Sequence, residues 1–131
     1  MISAREFFED YVTEIDRKMS RFDSMIAEIS QSGGSCDAMG SVLDQCRRMR
    51  EAWSLLKAKT FVAMAMLPAA EEQALRLKYY ENRTDDEITA VMRVSRSTVG
   101  RYVRNGLDKI SVPYEAAELI ESLSSAEHDR E

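Results

Sequence analysis

Phe8, Val12, Ile15, Met19, Phe22, Ile26 and Ile29 follow one another at intervals that alternate four and three. An α-helix completes a turn every ~3.6 residues, so this alternation lines one face of a single helix with apolar side chains. The pattern predicts a helix from about Ser3 to Ser30, with Arg17, Lys18, Asp23 and Glu28 on its other faces. Gln31-Ser32-Gly33-Gly34-Ser35 then breaks the stripe, and paired glycines among small polar residues predict a loop. A second stripe follows at the same alternating spacing: Val42, Cys46, Met49, Trp53, Leu56, Thr60, Ala63 and Leu67. Each helix alone would leave its apolar face in water. Two such stripes joined by a short loop predict a long antiparallel helical hairpin, coiled-coil-like, closed either within one chain or between two.

Pro68 ends the second stripe, because the residue before a proline is pushed away from helical geometry. Beyond it the elements become short. Glu71 and Glu72 suit the first turn of a helix whose apolar positions are Ala74, Leu75, Leu77 and Tyr79, and which ends near Glu81. Asn82-Arg83 makes a turn. Thr84 and Glu87 have the spacing of a capping box and open a helix over Asp85–Met92, with Ile88, Val91 and Met92 inward. Arg93-Val94-Ser95 is a tight break, and Ser95 caps a last helix running to about Ile110 with Val99, Val103, Leu107 and Ile110 on its buried face. Tyr114–Leu123 has the makings of a short amphipathic helix, with Leu119, Ile120 and Leu123 packing back. The fold class expected is therefore all-α: a hairpin over 1–67, a small helix-turn-helix domain over 68–112, and an acidic C-terminal tail over 113–131.

Composition agrees with this picture. The 131 residues include only five glycines and two prolines, and 44% are hydrophobic. Charge sharpens it. The net charge of −5 argues against nucleic acid as a partner, but its distribution does not. Arg93 to Lys109 carries Arg93, Arg96, Arg101, Arg104 and Lys109 against Asp108 alone. Residues 113–131 carry six acids against Arg130, which accounts for the whole negative sum. That tail is expected either to compete with DNA for the basic segment or to meet a basic partner.

Other chemistries lack their residues. Cys36 and Cys46 match neither a zinc spacing nor a disulfide framework, and His128 is the single histidine, so no metal site and reduced thiols are expected. Asp16, Asp23, Glu28, Asp44 and Glu51 read as a solvated helix face without a Glu-x-x-His pair. There is no glycine-rich phosphate loop and no nucleophile with an adjacent base, so no enzyme and no cofactor are expected. The longest apolar run, Phe61–Leu67, is too short to span a bilayer, and the charged first twenty residues do not resemble a secretory leader. A cytoplasmic protein without membrane contact is expected.

Two short helices around a three-residue turn, the second one basic, fit the geometry that reads DNA. The N-terminal residues of the second helix must reach base edges in the major groove, and an arginine can donate twice to one guanine edge. Arg96, Ser97 and Arg101 are the base-edge candidates. Thr98 suits either a base contact or an internal cap. Arg93, Arg104 and the hydroxyl of Tyr102 are phosphate candidates, which would fix register rather than read sequence. Gly100 is unusual inside a helix and marks either a tolerated flaw or a point of close approach.

The run Leu67-Pro68, Gln73 to Tyr80, Thr84 to Thr89, Val94 to Val99 and Leu107 to Ile110 resembles region 4 of sigma-70-type factors, and most closely small phage-associated regulators of the ArpU and RinA type. Response-regulator helix-turn-helix domains are similar over the same residues. The sigma resemblance implies base reading by Arg96 and Ser97, with Arg101 nearby, and Gly100 departs from the long polar side chain usual there. It implies double-stranded DNA as partner and RNA polymerase as a possible second one, and a homodimer through the hairpin is expected. The function expected is sequence-specific transcription regulation. Alternatives are a phage DNA-packaging accessory resembling a small terminase subunit, and a helix-turn-helix serving protein contacts only.

Overall fold

The computed structural model describes residues 2–31 and 37–128, with backbone alone at 37–39 and 126–128. Ser32–Ser35 of the expected loop, Cys36, the side chain of His128 and the tail's last three residues lie outside the described residues. Among the described residues the fold is all-helical, as the periodicity predicts: α1 (Ala4–Asp10), α2 (Ile15–Gln31), α3 (Asp37–Ala65), α4 (Ala69–Leu75), α5 (Asp85–Met92), α6 (Arg96–Lys109) and α7 (Tyr114–His128). Two compact units form. One comprises Met1–Glu14 and Ala58–Pro113, the other Ile15–Lys57 and Tyr114–Glu131.

The second unit contains the hairpin. Arg50 Nε lies 2.9 Å from Asp23 Oδ1 and Lys57 Nζ lies 3.5 Å from Asp16 Oδ1, an antiparallel register between α2 and α3 that closes within one chain. From the second stripe, Cys46, Met49, Trp53 and Leu56 are buried, whereas Val42 is exposed. In the first stripe only Ile15 of α2 is fully buried, and Met19, Phe22, Ile26 and Ile29 are half-buried. Helix α7 runs past the Leu123 limit expected from sequence. It buries Ala116, Ala117 and Ile120, and Gln45 Nε2 donates to the Leu123 carbonyl at 3.1 Å. Leu119, expected to pack inward, is exposed, because the inward face of α7 is set by Ala116, Ala117 and Ile120.

The first unit departs from expectation at its start. The helix predicted across Ser3–Ser30 is broken at Tyr11–Glu14. Ser3 caps α1 by accepting from the Glu6 amide at 3.1 Å. The chain then tightens into a 3₁₀ turn, Val12–Glu14, in which the Glu14 amide donates to the Tyr11 carbonyl at 3.0 Å and the Thr13 hydroxyl donates to the Glu9 carbonyl at 2.7 Å. Val12 and Ile15 are three apart, a spacing that one turn of either helix type accommodates, so the break leaves no mark on the stripe. Phe7, Phe8, Tyr11 and Val12 are all buried, and the Phe8 ring stands 5.3 Å from that of Tyr79.

Helix α4 continues into a π-helical turn over Arg76–Tyr80, where the Glu81 amide donates to the Arg76 carbonyl at 2.9 Å. Asn82 then takes a positive φ of 54° and closes the turn, as the Asn-Arg pair suggests, and its Nδ2 donates to the Thr13 carbonyl at 3.3 Å. Helices α4 and α6 cross at close range. A Cβ at Gly106 would lie 2.9 Å from Leu75 Cδ1, so glycine is what admits the contact. One turn on, Lys109 Nζ donates at 3.0 Å to Oε2 of the buried Glu71 on α4.

Candidate nucleic-acid interface

Helix α5 is fixed by a reciprocal cap and α6 by a single one, both encoded locally in the sequence. The Thr84 hydroxyl accepts from the Glu87 amide at 3.2 Å, and the Glu87 carboxylate accepts from the Thr84 amide at 3.1 Å. The Thr84 hydroxyl also donates to that carboxylate at 3.0 Å, and the Thr84 amide and hydroxyl, with Arg83 behind them, hold the Glu87 carboxyl below the usual glutamate range. An ion-pair chain links this cap to the preceding helix: Glu72 and Glu81 both meet Arg76, and Glu81 and Glu87 both meet Arg83. Inward packing of α5 rests on Ile88, with Met92 half-buried, while Val91, expected to face inward, is exposed. The short helix cannot turn both of the adjacent residues 91 and 92 toward one partner.

Arg93 ends α5 in the left-handed region, φ 57° and ψ 42°, where its amide still donates to the Thr89 carbonyl at 2.8 Å. Ser95 is extended and caps α6, accepting from the Thr98 amide at 3.2 Å. The Thr98 hydroxyl lies 2.8 Å from Ser95 Oγ. Ser97 Oγ is 3.2 Å from the same atom and the residue is exposed.

The buried side of α6 is Val99, Val103, Gly106 and Leu107, followed by Ile110. Ser97, Arg101 and Arg104 are exposed, and their spacing of four and three lines the opposite face; Arg96, the first residue of α6, is exposed as well. Arg93 is exposed in the turn that leads into that face. Tyr102 is half-buried, with the Arg101 guanidinium carbon 5.8 Å from its ring centre. Arg101 and Arg104 thus share one side of α6, with Arg96 at its exposed first position and Arg93 in the turn before it.

Residues 63–111 match the family model of sigma-70, region 4. The matched segment takes in the last residues of α3 and all of α4, α5 and α6. The matched segment forms a helix-turn-helix in which α6 is the second helix. No curated protein and no solved structure matches the chain.

Three features of this helix-turn-helix unit escape sequence reasoning. Asp86 at the start of α5 reaches Arg96, Oδ1 to Nη2 at 3.2 Å. Gly106 admits Leu75. Glu71 and Lys109 pair across 38 positions of chain. The first and last are opposite charges on separate elements, and only the tertiary crossing makes them neighbours. Among the described residues no group of three or more His, Cys, Asp or Glu side chains stands together to hold a metal ion. No helix of the described residues is long and apolar enough to cross a membrane.

Proposed function

We propose that this protein is a sequence-specific double-stranded-DNA-binding transcription regulator, acting in the cytoplasm, with α6 entering the major groove. The observation that carries this reading is the separation of α6 into a buried apolar face and an exposed face bearing Ser97, Arg101 and Arg104, with Arg96 exposed at its first position. Arg96, Ser97 and Arg101 read base edges, because they lie at the N-terminal end of the helix that a groove admits first. Arg93, Arg104 and the Tyr102 hydroxyl meet phosphates on either side and set the register. Thr98 either adds a base contact or braces the first turn of α6 through Ser95, whose Oγ lies 2.8 Å from its hydroxyl.

The hairpin acts as a dimerisation or partner arm. In support, Phe22 and Met25 are only half-buried and line an apolar depression with the exposed Val42. A phage-associated regulator of the ArpU and RinA type, with RNA polymerase as a second contact, is the finer form of the reading. It draws support from the region-4 match and from a hairpin outside that match.

The test is affinity for duplex DNA across a salt series, by fluorescence anisotropy. Each lost phosphate contact lowers the slope of log affinity against log salt by about 0.9. Arg104→Ala is expected to lower the slope by about one such step and to weaken all sequences alike. No salt-dependent binding to any duplex would overturn the proposal.

A further inference from the structure

We infer that Asp86 is a positioning residue for base reading: it orients the Arg96 guanidinium and thereby sets specificity at one base pair. The inference rests on the DNA-binding reading above. Arg96 is the first residue of α6, where the helix dipole opposes a cation. Asp86, on the other helix of the motif, supplies the compensating charge, 3.2 Å from Nη2.

Stability does not account for this pair. Its side chains are 68% and 89% exposed, and ion pairs so exposed contribute little to folding. Nor does α5 need Asp86 for its own terminus. Asp85 and Glu87 already place negative charge in the first turn, and Glu87 forms the capping box. What the pair does is restrict a long side chain with many rotamers to one direction, in the segment that faces the groove. Displacement of water by DNA would strengthen the contact, since charges attract more strongly at lower dielectric.

The second consequence concerns phosphates. Among the described residues no carboxylate forms an ion pair with Arg93, Arg101 or Arg104, whereas Arg96 is held by one. A guanidinium beside a carboxylate is a poor general phosphate clamp. Its free edge remains able to donate to a base, and Asp86 repels a backbone that approaches out of register. The Asp86–Arg96 pair therefore exchanges non-specific affinity for discrimination.

The experiment compares wild type, Asp86→Asn, Asp86→Glu and Arg96→Ala. The probes are duplexes carrying each base pair in turn at every position of the motif that wild type enriches from a randomised pool, beside a scrambled duplex. Asp86→Asn is expected to lose about tenfold in discrimination at the one position that Arg96→Ala also flattens, and to bind the scrambled duplex as tightly as wild type or more tightly. Asp86→Glu should restore part of the preference. Thermal melts of Asp86→Asn and wild type should coincide. An unchanged base profile, or equal weakening on every duplex, overturns the inference while leaving DNA reading intact. Failure of wild type to enrich any motif overturns both.

Discussion

Gly100 and Gly106 stand on the same helix under opposite constraints. At Gly106 a Cβ would meet Leu75 Cδ1 at 2.9 Å, deep in the α4–α6 crossing. Gly106→Ala is expected to destabilise the protein by about 1–3 kcal/mol in chemical denaturation, as overpacking does. At Gly100 the nearest atom to a Cβ is Arg104 Nη1 at 3.5 Å, an ordinary contact with a movable side chain. Gly100→Ala is therefore expected to stabilise the free protein by about 1 kcal/mol, the helix-propensity difference. If affinity for DNA falls in that same variant, Gly100 is where DNA comes close. In the sequence Gly100 stands out as unusual inside a helix and Gly106 does not, because the demand for glycine at Gly106 comes from α4 and not from α6. The same holds for Arg96. Its candidacy was legible from the turn and the charge, whereas its partner Asp86 stands ten positions earlier and becomes visible only when α5 and α6 are packed.

At the scale of elements, the start of α5 was the most legible part of the chain, because a capping box is a local interaction read from two residues at fixed spacing. It also has a testable pH signature. The folded Glu87 carboxyl titrates below its unfolded value, so its contribution is complete above the ordinary glutamate range and is lost as pH falls through the lowered folded value. Glu87→Gln is expected to be less stable than wild type at neutral pH, with the gap closing as the solution is acidified. Thermal melts across that range check this, and a constant gap would contradict it. The break between α1 and α2 was not legible, because a short 3₁₀ turn keeps Val12 and Ile15 in phase. Nor was the π turn at Arg76–Tyr80, which lies inside one continuous helical run and leaves Leu77 and Tyr79 buried as the stripe requires.

At the scale of the molecule, the N-terminal segment is part of the helix-turn-helix unit although 43 residues of the other unit intervene in the chain, from Ile15 to Lys57. Phe7, Phe8, Tyr11 and Val12 bury their side chains there, and each such burial contributes about 1.5–3 kcal/mol. Their sum approaches the ~5–15 kcal/mol that holds a typical domain together. A fragment beginning at Ala58 is thus expected to melt without cooperativity, even though it contains the whole region-4 match; a cooperative melt near that of the full chain would contradict this. The sequence made the helix-turn-helix legible because its turns and caps are local. It did not reveal the company of α1, because the stripe reads helices and not their partners. The central claim is that the exposed side of α6 reads DNA sequence. Its most direct test is enrichment of binding sites from a randomised duplex pool by the full chain, run beside an Arg96→Ala/Arg101→Ala variant that melts like wild type. A short motif recovered by wild type and absent with the variant is the predicted result; equal enrichment by both proteins, or none by wild type, would contradict the claim.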